Sequence, residues 1–169
     1  MNRNLILTAT VSAITWLGTT NATAQFARVC PVPQQVETSV AAMVNQPTQW
    51  ALRCDKQRLS SAALKALTEG TTHIAQNKKA PFTVTLGVVG DRCLRALDKP
   101  TALKAEGYLL KVAEKGIVII GADERGLYYG VQTLLQSMEG GKMQYGTVTD
   151  WPDTPVRGTV EGFYGTPWS

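Results

Sequence analysis

Hydrophobic and polar positions alternate in short blocks along this 169-residue chain, and the blocks change period. Residues 82–86 alternate β-branched and apolar side chains between Pro81 and Gly87, which predicts a strand. Residues 108–112 and 117–120 flank Ala113-Glu114-Lys115-Gly116 and predict a hairpin, with Gly116 available for a positive φ in the turn. The second arm, Ile117-Val118-Ile119-Ile120, is apolar on both faces and belongs in the middle of a sheet. The period then lengthens. Leu127, Tyr128, Val131, Leu134, Leu135 and Met138 recur at helical spacing behind Asp123, which can cap the helix, and Gly140-Gly141 stops it.

Weaker signals complete the pattern. Residues 50–54 read as a short strand, and Ser60 or Ser61 can cap a helix that runs to about Glu69 and ends at Gly70. Residues 91–100 fit either a short helix or a loop, and residues 145–148 a short edge strand. Residues 25–46, rich in Pro, Gln and small side chains, read as an extended lead-in. The expected fold is α/β, a small sheet of about four strands backed by two helices.

Both ends of the chain fall outside this pattern. Residues 5–17 form an apolar run behind Arg3, and Ala22-Thr23-Ala24 follows with small-x-small spacing. This predicts a signal peptide over residues 1–24, export to the periplasm or beyond, and no membrane association after cleavage. The run is too short for a comfortable span of about 20 apolar residues. At the other end, Asp150-Trp151-Pro152-Asp153-Thr154-Pro155 predicts a linker over residues 150–155. The expected organisation is an accessory domain over residues 25–149, that linker, and a new strand and loop over residues 156–169. Val156, Gly158 and Val160 would share one face of that strand, with Arg157, Thr159 and Glu161 on the other.

Charge and composition exclude several function classes. The net charge is +4, from scattered Lys and Arg residues with Lys78-Lys79 the only adjacent pair, so no basic stripe for nucleic acid is present. A single histidine, His73, in a polar stretch rules against a histidine-based metal site or catalytic dyad. Cys30, Cys54 and Cys93 match no metal spacing, and in an oxidising compartment two of them could pair. Asp123-Glu124 is explained as a helix start, and Glu161 as a structural partner for Arg157 or for backbone groups.

The residues with chemical character come last. Gly162 allows close approach of a backbone carbonyl to a ligand, and Phe163, Tyr164 and Trp168 offer stacking faces. The run Arg157-Gly158-Thr159-Val160-Glu161-Gly162-Phe163-Tyr164-Gly165-Thr166-Pro167-Trp168-Ser169 resembles the first barrel strand of glycoside hydrolase family 84, the β-N-acetylglucosaminidases. Gly121-Ala122-Asp123-Glu124-Arg125-Gly126-Leu127-Tyr128-Tyr129-Gly130-Val131-Gln132-Thr133-Leu134, and Asp150-Trp151-Pro152 ahead of Arg157-Gly158, resemble the N-terminal domain shared by families 84 and 20. Family 20 carries an Asp and an Arg soon after its Arg-Gly; Glu161-Gly162-Phe163-Tyr164 stands here instead and favours family 84.

The resemblance implies a retaining hydrolysis of terminal β-linked N-acetylglucosamine, in which the substrate's own acetamido group attacks. No cofactor is implied, and the partner is an N-acetylglucosamine-containing glycan. It also implies that Gly162, Phe163 and Tyr164 contact substrate, and that the aspartate pair of the family lies on a later barrel strand, so that no catalytic residue is assigned here and this chain alone is expected to be inactive. The alternatives are a stand-alone carbohydrate-binding module, a non-functional truncated product, or a family 20 enzyme.

Overall fold

The computed structural model of the protein describes residues 25–97, 102–138 and 140–158. The expected leader and residues 159–169 lie outside the described residues. A 3-10 turn, Gln25–Arg28, opens the chain and seats Phe26 in the core with no exposed surface. Strand β1 (Gln35–Asn45) follows, then β2 (Gln49–Arg53), a 3-10 turn at Lys56–Arg58, α1 (Ala62–Gly70) and the short β3 (Ala75–Gln76). The second half holds β4 (Thr83–Val88), a 3-10 turn at Arg92–Leu94, the β5 (Tyr108–Ala113) and β6 (Gly116–Gly121) hairpin, α2 (Glu124–Ser137) and β7 (Lys142–Asp150).

The strands form one sheet in the order β1-β7-β5-β6-β4-β2-β3. It is wider than the expected sheet of about four strands. The lead-in is not merely extended: β1 pairs antiparallel with β7, with Val36 opposite Val148 and a register shift between Thr38 and Met43. That pairing places β7 inside the sheet, between β1 and β5, where an edge strand was expected. Both differences have one cause. The partner of β1 lies at the far end of the chain, and local alternation carries no information about such a distant ladder. The apolar arm β6 is central as its sequence requires, antiparallel to β5 and parallel to β4.

Both helices cover one face. Ser61 caps α1 by accepting from the Leu64 amide at 3.2 Å, and Asp123 caps α2 by accepting from Gly126 at 2.9 Å. Leu127, Val131 and Leu134 are fully buried against Leu110, Ile117 and Ile119, whereas Tyr128, assigned by spacing to this face, is 36% exposed. Its place on the contact face is taken by Gly130, where a Cβ would lie 2.7 Å from Ile119 Cγ2 and 3.1 Å from Tyr108 Cδ2. Gly116 is likewise not a left-handed turn residue: its missing Cβ makes room for the Thr83 carbonyl, 2.2 Å from where that atom would sit. Helix α2 ends at Ser137, and Gly140 (φ 60°) and Gly141 (φ 73°) then turn the chain into β7.

The opposite face carries a smaller cluster, in which Cys93, Leu94 and Ile120 are buried with Leu97, Leu103, Leu109 and Val118 packed on them. Cys54 packs on the helix side and Cys93 on this side, and all three cysteines are free. His73 is exposed and bonds the Gln46 side chain at 2.7 Å.

Candidate functional site

The motif residues that lead toward the terminal run converge on one end of the sheet. Asp150 is the last residue of β7 and stands opposite Tyr108, the first of β5. Beside them α2 presents Tyr129, Gln132, Thr133 and Gln136, and together these groups line a cavity of about 380 Å³ that Trp151, Pro152 and Arg157 also border. The segment just after the 3-10 turn, Val29 to Val32, closes the remaining side, where the Cys30 amide donates to Gln136 Oε1 at 3.0 Å.

A short polar relay runs through the floor. The single phenol proton of Tyr108 goes to Asp150 Oδ2 at 3.2 Å, so Thr133 donates its hydroxyl to the phenol oxygen at 2.5 Å. Burial pushes the Tyr108 phenol well above its ordinary range, with the Asp150 charge acting the same way; the ring is a fixed neutral donor. Asp150 Oδ1 accepts from the Gln34 amide at 3.1 Å, and Gln34 reaches on to Asp153 at 2.6 Å. Lys104 Nζ lies 3.9 Å from the Trp151 ring centroid in a cation–π contact.

The rim is ionic. Glu106 accepts from Arg125 at 2.9 Å through one oxygen and from Arg157 through the other, and Arg157 also reaches the Thr154 carbonyl and, at 3.5 Å, the Tyr129 hydroxyl. The hydrogen bond from Arg157, followed by that from Arg125, holds the Glu106 carboxyl below the usual range. Asp123 is also held low. Burial works against its ionisation, and the amides of Gly126, Glu106 and Arg125 outweigh it.

A second hollow, about 580 Å³, opens beside Cys54, Asp55, Asp91 and Arg92. Its acids are already occupied. Asp55 accepts from the amides of Arg92 and Cys93 at 2.7 and 3.0 Å, and Asp91 from Arg58, Gln57 and the Val88 amide at 2.7–2.9 Å. The Cys93 thiol is pushed up to about 11, first by burial and then by Asp55 and Asp91, so it is no nucleophile at neutral pH. Among the described residues no three His, Cys, Asp or Glu side chains cluster as a metal site.

Gly162, Phe163 and Tyr164, the substrate contacts expected from the terminal run, lie outside the described residues, as does Glu161. Residues 156–158, where the barrel strand was expected to begin, carry no strand pairing. Asp123 and Glu124 do start α2. No site role was expected for Glu106, Tyr108 or Thr133: Glu106 stands in no motif, Tyr108 was only the start of a strand and Thr133 only part of the run over residues 121–134, and they meet only through topology. Asp150-Trp151-Pro152, Arg157-Gly158 and the run over residues 121–134 were the local signals for this end of the sheet.

The cavity thus closes a sheet-and-helix unit that ends at Trp151, and a family model covers the same unit. Residues 27–151 match glycosyl hydrolase family 20, domain 2. The chain belongs to this family. A β-hexosaminidase from Porphyromonas gingivalis is 43% identical over 47 residues, which are 28% of this chain and 6% of that one. The fold of this family 20 domain superposes on CpGH84B with a TM-score of 0.69 at 26% identity, over 83% of this chain and 25% of the other. It superposes on a mutant Streptomyces plicatus β-hexosaminidase in complex with its product GlcNAc with a TM-score of 0.51 at 21% identity, over 77% of this chain and 27% of the other. The chain therefore spans a small part of the length of each of these relatives.

Proposed function

We propose that this chain is the N-terminal part of an exported β-N-acetylglucosaminidase of the family 84 type. Residues 1–24 act as the export signal and residues 25–149 as the accessory domain. Residues 150–155 form the linker, and residues 156–169 supply the first strand and loop of a catalytic barrel. The observation that carries this reading is the family 20 domain 2 match over residues 27–151, with Asp150-Trp151-Pro152 and Arg157-Gly158 running straight on from it. The better superposition on CpGH84B than on the Streptomyces plicatus enzyme supports family 84 over family 20. Val156, 85% exposed where the new strand would begin, fits a residue that further strands cover.

In this reading the substrate is a glycan ending in β-linked N-acetylglucosamine, and Gly162, Phe163 and Tyr164 line its pocket. The retaining mechanism uses the substrate acetamido group as nucleophile, held and assisted by two adjacent aspartates with separated pKa values. The 169 residues hold no two adjacent aspartates. Their one Asp-Glu pair, Asp123-Glu124, is committed to capping α2 and to Arg58. Catalysis is therefore assigned to residues beyond these.

The test reads the coding frame past Ser169 on independently amplified template and expresses the continued product beside the 169-residue chain. The continued product should carry an adjacent Asp-Asp pair and release nitrophenol from an N-acetyl-β-glucosaminide, while the 169-residue chain should release none above a vector control. An Asp-Glu pair in its place would move the enzyme to family 20. Turnover by the short chain, or a continued product inert on this substrate, would overturn the proposal. A stop directly after Ser169 would do so as well, leaving carbohydrate binding or no function as the account.

A further inference from the structure

Glu106 is held in an unusual backbone state and then spent on a single contact set. Its φ is +57°, and it is the one non-glycine with positive φ among the described residues. Such conformations persist only where surrounding bonds fix them. Here the Glu106 amide donates to Asp123 Oδ2 at 2.8 Å, the Gly107 amide to the Lys104 carbonyl at 2.9 Å, and the Ala122 amide to the Gly107 carbonyl at 2.8 Å. This clamp aims the Glu106 side chain across the start of α2, toward the segment that leaves β7.

That segment is pinned at successive points. Trp151 lies against Lys104, Asp153 accepts from Gln34, and Arg157 ends on Glu106. The last point differs from the others because one carboxylate serves two guanidinium groups, Arg125 and Arg157. Removing its charge does more than delete an attraction: it leaves two cations side by side with no counter-ion between them.

We propose that Glu106 is a latch, a positioning residue that clamps Arg157 and fixes the direction in which the chain leaves the sheet. The latch is a property of the described residues and does not depend on the enzyme reading above. If a further domain follows Gly158, the latch sets the angle at which it departs.

Trypsin reads this contact directly, since cleavage after Arg157 requires that guanidinium to leave Glu106 and enter the protease. The folded 169-residue protein is digested briefly, and release of the peptide 158–169 is followed by mass spectrometry beside the melting temperature. Glu106→Gln should release the peptide about three- to five-fold faster than wild type, the range for loss of an exposed ion pair, with an unchanged melting temperature. Arg125→Ala, which leaves Glu106 to Arg157 alone, should release it no faster than wild type. Should the Gln variant fail to fold, Glu106→Asp, which tolerates the positive φ better and draws the carboxylate back from Arg157 by one methylene, should show the acceleration instead. Equal rates for wild type and Glu106→Gln would overturn the proposal. So would an Arg125→Ala variant as fast as Glu106→Gln, or an acceleration matched at every other Lys and Arg site and accompanied by a lower melting temperature.

Discussion

Tyr108 joins three elements through one oxygen. Its ring is 1% exposed at the start of β5, and its hydroxyl takes a hydrogen bond from Thr133 on α2 and gives one to Asp150 at the end of β7. Tyr108→Phe keeps the ring but strands the Thr133 hydroxyl, whose residue is 5% exposed. The expected loss is about 1–2 kcal/mol in urea unfolding at neutral pH. Thr133→Val in the same protein removes the stranded group, so the double variant should be more stable than the sum of the single losses predicts. Strict additivity would mean that the two hydroxyls do not depend on each other. At this scale the sequence is legible only where a role is local. Ser61 and Asp123 announce themselves as caps because each stands just ahead of a helical period. Glu106 does not, since both its backbone state and its partner Arg157 are set by the tertiary fold.

Helices and the central hairpin were readable as elements, because their signals lie within a dozen residues of one another. The β5–β6 pair closes with Ala113 opposite Gly116, around Glu114 and Lys115, and β6 sits mid-sheet as its unbroken apolar run demands. Strand β1 was not readable: it is exposed at Val36 and Met43, and its ladder is with β7. Helix α2 also differs from α1 in what its cap does. Ser61 accepts from Leu64 in its own helix and donates to the Arg58 carbonyl of the adjoining turn, whereas the charged Asp123 accepts from Gly126 in α2 and from Glu106, 17 residues away. Ser61→Ala should cost about 1 kcal/mol or less and Asp123→Ala about 2 kcal/mol. Asp123→Ala should also speed amide hydrogen exchange at Glu106, which Ser61→Ala should leave alone. A larger loss for Ser61→Ala would show that the two-element cap has been misjudged.

Across the whole molecule, the candidate site was legible only in its direction. Asp150-Trp151-Pro152 and Arg157-Gly158 point to the end of the sheet where the cavity lies, but the walls come from β5 and α2 and from the Val29–Val32 segment ahead of β1, and no local pattern names them together. The β4 side of this same end of the sheet shows how the topology secures the fold against acid. Asp91 ties the Lys56–Arg58 turn to β4 through Arg58, Gln57 and the Val88 amide, and Arg58 extends the tie to Glu124 on α2. The hydrogen bond from Arg58 is the main force holding the Asp91 carboxyl below its usual range. A carboxyl depressed in the folded state contributes its full stabilisation above its unfolded pKa, about 3.9, and loses it as pH falls through the lower folded value. With side chains 3% and 13% exposed, Asp91 and Arg58 form a nearly buried pair. Asp91→Asn leaves that guanidinium with only the exposed Glu124 as counter-ion and should cost about 3 kcal/mol at neutral pH. The gap between wild type and variant should stay constant from about pH 8 to pH 5 and narrow progressively below about pH 4. Asp123 is depressed in the same direction, so the variant should keep part of the acid slope. Unfolding curves at a series of pH values decide the matter: a gap that does not narrow between about pH 4 and pH 2 would place the cost in shape or packing rather than in the charge of Asp91.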